Sequence, residues 1–134
     1  MYLLHTGTRK LEIFSGGTSP LYAILSHVWG KEEVTFQEIK GGEVDENKEG
    51  YKKLRNACIK AASHGFNYIW IDTCCIDKSS SAELSEAINS MYHWYQESGV
   101  CYAYLADVLS KDREAEAIPR ELGDSSWFRR GWTL

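Results

Sequence analysis

Three short apolar segments, separated by two amphipathic ones, constrain the fold of this chain more than any other feature. The segments are Tyr22–His27, Tyr68–Ile71 and Val100–Leu105, each four to six residues long. Apolar runs of this length, followed by turn residues, are typical of strands that are buried in a parallel sheet. Residues 50–64 and 81–97 lie between them and have helical spacing. The order strand, helix, strand, helix, strand predicts an α/β fold, in which a parallel sheet carries helices on its faces.

Both helical segments have a one-sided apolar stripe and a signal at one end. The stripes consist of Tyr51, Leu54, Cys58 and Ala61 in the first segment and of Leu84, Ile88, Met91 and Tyr95 in the second. Such spacing is typical of a helix that packs on a core. Gly65 stands where a C-terminal cap belongs. Ser80 followed by Glu83 forms a capping box, which also accounts for Glu83.

An N-terminal hairpin is predicted before the first core strand. Tyr2–Leu4 and Leu11–Phe14 flank a turn that contains Gly7, and Gly16 and Gly17 interrupt the pattern. We expect this hairpin to add an antiparallel edge to the parallel sheet.

Polar segments account for the rest of the chain. Residues 41–49 are predicted as a loop, and residues 106–124 as a loop with or without a short helix. Residues 125–134 are predicted as the start of a further helix. No internal repeat or low-complexity linker divides the chain. We therefore expect a single domain over residues 1–134, with the hairpin in residues 1–19 and the core in residues 20–134.

Composition and charge argue against several classes of protein. The 134-residue chain has a formal net charge of −4. Residues 31–50 contain seven acidic and three basic side chains, and the two signs balance in the rest. No basic stripe indicates nucleic-acid binding, and no apolar run approaches the ~20 residues of a membrane-spanning helix. The first residues lack the pattern of a secretory signal, so we expect a cytoplasmic protein with reduced thiols.

The cysteines do not have the spacing of a zinc site, because no C-x-x-C pair occurs among Cys58, Cys74, Cys75 and Cys101. Cys58 and Cys101 are interpreted as small core residues. His27 with Cys74 or Cys75 would form a thiolate–imidazole pair that activates a cysteine nucleophile, and simple packing of the cysteines is the alternative. Metal binding by His27, Asp72 and Asp77 has no supporting ligand spacing.

Polar and aromatic side chains gather where the predicted strands end. In open parallel sheets, ligands bind beyond the carboxyl ends of the strands. The candidate binding residues at these ends are Ser26, His27, Trp29, Gly30, Asp72, Cys74 and Asp77. Asp72 directly follows a fully apolar strand. It is interpreted as an acceptor for a ribose hydroxyl or a general base, or else as the cap of a nearby turn.

Two further candidates lie near the last residue. Trp132 and Trp29 are suited to stacking on a base or a nicotinamide ring, with core packing as the alternative. Arg130, next to Arg129, is suited to clamping a phosphate, with a solvated pair on a helix as the alternative.

Four blocks of the sequence, taken in order, resemble the motifs of a known fungal domain. The blocks are Tyr22–Gly30, Trp70–Lys78, Glu83–Met91 and Ser126–Leu134. Together they resemble the heterokaryon-incompatibility (HET) domain, and are most similar to the HET domains at the N-terminus of fungal NLR-like receptors. The resemblance implies a part in nonself recognition and programmed cell death, as in fungal innate immunity. It also implies self-association or association with other HET or NLR-type signalling proteins.

The same resemblance implies a possible enzyme. HET domains have been proposed as distant relatives of TIR domains, which have a flavodoxin-like parallel sheet and some of which hydrolyse NAD. NAD is then the expected substrate, Asp72 the expected catalytic acid, and no other cofactor is expected. The fourth block of the family usually continues with Gln-Glu, whereas this chain stops at Leu134. If this glutamate is the catalytic acid, as the TIR analogy implies, the C-terminally truncated domain lacks it and is expected to be inactive, with Asp72 as the remaining candidate acid.

Overall fold

The computed structural model describes residues 1–15, 17–106 and 125–129. Its elements in chain order are β1 (Tyr2–His5), β2 (Leu11–Ile13), β3 (Ala23–His27), α1 (Phe36–Gly41), α2 (Glu49–Ser63), β4 (Tyr68–Ile71), α3 (Ser81–Glu97), β5 (Val100–Tyr104) and a 3-10 turn at Ser126–Arg129. None of the helices in these residues has the length and apolar character needed to cross a membrane.

The five strands form one mixed sheet in the order β2-β1-β4-β3-β5. β3 is central to the parallel part, and Leu25 lies opposite Ile71 of β4 and Tyr102 of β5. β1 runs antiparallel to β4 and pairs with β2 as a hairpin. The predicted α/β class, with its parallel core and antiparallel hairpin edge, is confirmed. The flavodoxin-like or TIR-like relationship stays a prediction.

The helices α2 and α3 pack against opposite faces of the sheet, as right-handed crossovers to opposite sides of β3 require. Lys60 of α2 lies over the ring of Tyr102, which shares a face with Leu25. Trp94 of α3 makes an edge-on contact with Trp70, which points the other way. The site residues of β3 therefore face α2 or α3 according to their position in the strand.

α2 matches its predicted stripe and its predicted cap. Tyr51, Leu54, Cys58 and Ala61 are all buried in the core. Gly65 has a φ of 87°, which a residue without a side chain adopts readily. Its N–H donates to the carbonyl of Ala62, and the N–H of Phe66 donates to the carbonyl of Ala61. This pair of bonds satisfies carbonyls that the helix end leaves free.

α3 begins as predicted, and its predicted stripe packs against the core except at Ile88. The Oγ of Ser80 accepts a hydrogen bond from the N–H of Glu83 at 3.3 Å, so the N-cap is confirmed. The side chain that α3 buries fully is Ala87, whereas Ile88 is 63% exposed. The expectation for Ile88 is thus wrong. Ile88 lines an open surface groove, whereas Leu84, Met91 and Tyr95 of the predicted stripe pack against the core. Trp94 packs there as well, and its ring contacts Trp70.

β5 is less buried than its apolar sequence suggests. Val100 and Tyr102 are partly buried, whereas Cys101, Ala103 and Tyr104 are exposed. The interpretation of Cys101 as a small core residue is therefore wrong. The reason is position, because β5 is at one end of the sheet and pairs with β3 alone among the described residues.

The acidic region contains a short helix that the sequence analysis did not predict. Thr35 accepts a hydrogen bond from the N–H of Glu38 at 3.2 Å and starts α1, and Gly42 with a φ of 72° ends it. At the other end of the chain, the predicted helix is a 3-10 turn as far as the description reaches. Residues 130–134 and the predicted loop at 107–124 lie outside the described residues.

Candidate functional site

The structure brings His27, Trp29 and Asp72 together beyond the ends of β3 and β4. His27 Nε2 lies 2.7 Å from Asp72 Oδ1, and Trp29 Nε1 donates to Asp72 Oδ2 at 2.9 Å. The two strands are neighbours and parallel, so their carboxyl ends meet at one edge of the sheet. The carboxylate of Asp72 accepts hydrogen bonds from these two side chains. The alternative interpretation from the sequence was that Asp72 caps a nearby turn.

Lys53 and Glu33 extend this arrangement on the other side of the imidazole. Lys53 Nζ lies 2.9 Å from His27 Nδ1 and 2.7 Å from the Glu33 carboxylate. An ammonium group only donates, so we assign His27 Nδ1 as the acceptor and place the ring proton on Nε2. His27 is then neutral, and its Nε2–H donates to Asp72. The side chains of Lys53 and Glu33 are 9% and 12% exposed, so the ion pair is largely shielded from water.

Lys78 lies next to Trp29 at the edge of the site. Its Nζ donates to the backbone carbonyls of Asp72 at 2.6 Å and Thr73 at 3.2 Å, and lies 4.9 Å from the centre of the Trp29 ring. Burial lowers the pKa of Lys78, and the charge of Asp72 opposes that change. We refer to His27, Trp29, Glu33, Lys53, Asp72 and Lys78 as the rim cluster.

The rim cluster combines a buried charged interior with an accessible aromatic surface. The carboxylates of Asp72 and Glu33 pair with the imidazole of His27 and the ammonium of Lys53, which compensates the cost of burying them. The ammonium of Lys78 lies at the exposed edge of the cluster. Trp29 is 51% exposed, so core packing does not explain it. Its ring and the ammonium of Lys78 offer a stacking surface beside a positive charge.

Ser26 belongs to a different surface from His27. Adjacent residues of a strand point to opposite faces, and Ser26 faces α3. Trp127 Nε1 lies 3.1 Å from Ser26 Oγ and 3.2 Å from the Ser26 carbonyl oxygen. This surface is a groove of about 660 Å³, and we refer to it as the α3 groove. It is lined by Ser26, Ile88, Met91, Tyr92, Tyr95, Cys101 and Trp127.

Cys74 is placed in the core and away from solvent. Its side chain is fully buried. A hydrogen bond with Cys75, followed by burial, raises the pKa of Cys74 well above its ordinary value. Both ring nitrogens of His27 are engaged, by Asp72 and by Lys53. The thiolate–imidazole pair considered from the sequence is therefore not formed.

The remaining predicted residues lie at the margin of the site or outside the described residues. The N–H of Gly30, which is exposed, donates to Glu33 at 3.4 Å. Asp77 accepts a hydrogen bond from Gln37 at 2.9 Å, and hydrogen bonding by the Ser79 side chain lowers the pKa of Asp77. No three His, Cys, Asp or Glu side chains in the described ranges are arranged to hold a metal ion. Arg130 and Trp132 are outside these ranges.

Four residues of these two surfaces were not predicted from the sequence, namely Glu33, Lys53, Lys78 and Trp127. Lys78 and Trp127 lie inside the motif blocks, which was an available signal. Lys53 is in the second turn of α2, and a crossover helix starts near the carboxyl ends of the strands. A lysine in its first turns therefore lies close to a site at that edge. No comparable pattern pointed to Glu33, because it stands among several exposed acids.

These features define the chain as an α/β domain with a buried charged cluster at the carboxyl ends of its parallel strands. Residues 22–117 match the family model described as "Heterokaryon incompatibility protein (HET)". The chain belongs to this heterokaryon-incompatibility family.

A curated relative supports the same assignment. The chain is 47% identical over 131 residues to "Vegetative incompatibility protein HET-E-1" of Podospora anserina. The match covers 94% of this chain and 10% of that protein, so the chain spans about a tenth of the relative's length. No solved structure shows a significant match.

Proposed function

We propose that this domain is a cytoplasmic effector of fungal nonself recognition that signals by self-association and leads to programmed cell death. Family membership and the similarity to a vegetative incompatibility protein support the biological role. Clustering by a receptor, or by other HET or NLR-type proteins, would raise the local concentration of the domain. Weak self-association then becomes effective without any new contact.

The observation that carries this proposal is the exposed apolar surface of α3. Ile88 is 63% exposed and Tyr92 is 80% exposed. They are four residues apart, so they lie together on one face of the helix. This face borders the α3 groove, whose lining is mostly apolar. Contiguous exposed apolar surface marks interaction sites in soluble proteins, and we propose a second copy of this domain as the partner.

A matched pair of substitutions tests the self-association. Ile88→Lys places a charge on the α3 surface, and Ile59→Lys places the same charge at a 55% exposed position of α2. The average mass of the chain should rise with concentration in light scattering. Ile88→Lys should abolish the rise and relieve toxicity in a fungal host, while Ile59→Lys should retain both. A wild-type chain that stays monomeric at every concentration and is harmless would refute the proposal.

A second candidate function is hydrolysis of the nicotinamide–ribose bond of NAD. The specific observation in its favour is the half-exposed Trp29 ring beside Lys78 and the Asp72 carboxylate. An indole stacks on an aromatic base, an ammonium attracts a phosphate, and a carboxylate stabilises an oxocarbenium-like ribosyl centre. The Asp72 side chain is only 8% exposed and already accepts from His27 and Trp29, so catalysis requires the site to open for the ribosyl group.

Release of nicotinamide from NAD measures this activity directly. Asp72→Asn should abolish turnover, whereas Asp77→Asn, which alters a carboxylate outside the rim cluster, should leave it unchanged. Absence of turnover in the wild-type chain, or equal turnover in Asp72→Asn, would exclude the enzyme and leave self-association as the function.

A further inference from the structure

A second cavity lies away from the rim cluster and the α3 groove. It has a volume of about 550 Å³ and is bounded by the β1–β2 hairpin, the end of α1 and the start of α2. This volume is in the range of small-molecule binding sites. None of its lining residues belongs to the rim cluster. The cavity is therefore a separate candidate for ligand binding.

The charged groups around this cavity are mostly cationic. Arg9, Lys10 and Lys40 line it together with one acid, Glu46. The excess of positive charge contrasts with the net charge of −4 of the whole chain. Within the described residues, no carboxylate lies within 4.0 Å of any of these three cations, whereas Lys48 and Lys53 both have such partners. With three cations and one acid among its lining residues, the wall of the cavity is suited to an anion.

Arg9 is held in an unusual conformation at this cavity. It has a φ of 57°, the left-handed region that non-glycine residues seldom adopt. Its Nη1 donates to the hydroxyl of Tyr51 at 3.1 Å, and that hydroxyl donates to Glu46 at 3.3 Å. The guanidinium is thus fixed by a buried tyrosine.

The Nε of Arg9 is buried and has no acceptor among the described residues. A buried polar N–H without a partner is uncommon and costs stability, and an acceptor that approaches Arg9 from the cavity, with a small shift of the side chain, would remove this cost. Guanidinium groups match the oxygens of phosphate through paired N–H donors. Lys10 and Lys40 would neutralise the remaining negative charge of a phosphate dianion.

We propose that this cavity binds a small phosphorylated organic molecule. The phosphate contacts Arg9, Lys10 and Lys40, and the organic part packs against the aromatic side chains of Tyr2 and Tyr51 at the cavity wall. The cavity is larger than a phosphate ion alone requires, which favours a phosphate ester over the free ion.

Calorimetric titration of the 134-residue chain with adenosine 5′-monophosphate, and separately with inorganic phosphate, tests the proposal. We expect saturable one-site binding of the nucleotide, tighter than that of inorganic phosphate. Arg9→Asn and Lys40→Gln should each weaken it about tenfold or more, which is the usual effect of losing a charge-assisted hydrogen bond. Asparagine tolerates the left-handed backbone at position 9. Arg55→Gln removes a cation that does not line the cavity and should leave binding unchanged.

The proposal would be overturned by the absence of saturable nucleotide binding, by equal binding by Lys40→Gln and the wild-type chain, or by equal weakening in Arg55→Gln. Tighter binding of inorganic phosphate than of the nucleotide would also contradict it, because the site would then recognise a free ion. Circular dichroism of each variant checks that the fold is retained, and Lys40→Gln decides the result if Arg9→Asn does not fold.

Discussion

Trp29 donates a hydrogen bond from its indole Nε1 to the Oδ2 of Asp72, over 2.9 Å and across 43 residues of sequence. The bond joins the segment after β3 to the end of β4. The second carboxylate oxygen of Asp72 accepts from His27. Asp72 therefore holds two elements together at the carboxyl edge of the sheet, and its removal should affect the fold as well as any activity.

Asp72→Asn should destabilise the domain by about 1–3 kcal/mol. The new amide has one oxygen in place of two, so one of the two donors, His27 Nε2–H or Trp29 Nε1–H, meets an NH₂ group and loses its acceptor. Urea denaturation followed by circular dichroism measures the change. Asp77→Asn is the control and should cost less, because Asp77 accepts from polar groups closer to the surface. Equal losses in the two variants would contradict the importance of the rim cluster.

Lys53 and Glu33 should behave as a coupled pair. Lys53→Met leaves the carboxylate of Glu33, only 12% exposed, without its cation, and should cost about 3 kcal/mol. The double variant Lys53→Met/Glu33→Gln removes both charges and should recover at least about 1 kcal/mol relative to the sum of the single variants. Thermal or urea unfolding of the four proteins completes the cycle. Strict additivity would show that the two side chains do not interact.

Stability should fall in alkaline solution because of the buried thiol of Cys58. Burial raises the pKa of Cys58 from 9.0 to about 12. The folded chain thus retains a proton that the unfolded chain loses, and stability declines between about pH 9 and 12 by up to about 1.4 kcal/mol per pH unit. The raised pKa of Tyr22, about 12, acts in the same direction above pH 10. The lowered pKa of Lys78 acts in the opposite direction just below 10.5.

Comparison of Cys58→Ala with Cys101→Ala isolates this effect. Urea unfolding at several pH values from 8 to 11 should show a shallower decline for Cys58→Ala, whatever its stability at neutral pH. Cys101→Ala, at an exposed position, should follow the wild-type slope. An unchanged slope in Cys58→Ala would refute the assignment.

Gly50 should not tolerate alanine. A Cβ at this position would lie 2.1 Å from the carbonyl oxygen of Glu32 and 2.7 Å from the Cα of Glu33, both backbone atoms. The clash would also disturb the hydrogen bond from the N–H of Gly50 to Glu32. We expect a loss of about 2 kcal/mol in chemical denaturation. Gly41→Ala, where a Cβ meets nothing within 4 Å, should leave stability unchanged or raise it.

The parallel core was predictable because it follows from the order of strands and helices. The contact between Trp29 and Asp72 was predictable because the carboxyl ends of parallel strands lie at the same edge of a sheet. Exposure was harder to predict. The apolar run of β5 has the same composition whether the strand is central or at an edge. Trp94, which the predicted stripe of α3 did not include, packs on Trp70 through a long-range contact. Glu33 was hidden among exposed acids, because only the folded chain shows which of them meets Lys53.

The parallel pairing of β3 with β4 has a consequence for strand slippage. The strands consist largely of interchangeable apolar residues, and such residues alone discriminate poorly between neighbouring alignments. A shift by one residue would turn His27 to the opposite side of the sheet. The Asp72 carboxylate and the Lys53 ammonium would then lose the imidazole that lies between them. Misaligned chains are therefore destabilised electrostatically. The charged side chains thus favour the native register, which apolar packing alone does not distinguish from its neighbours.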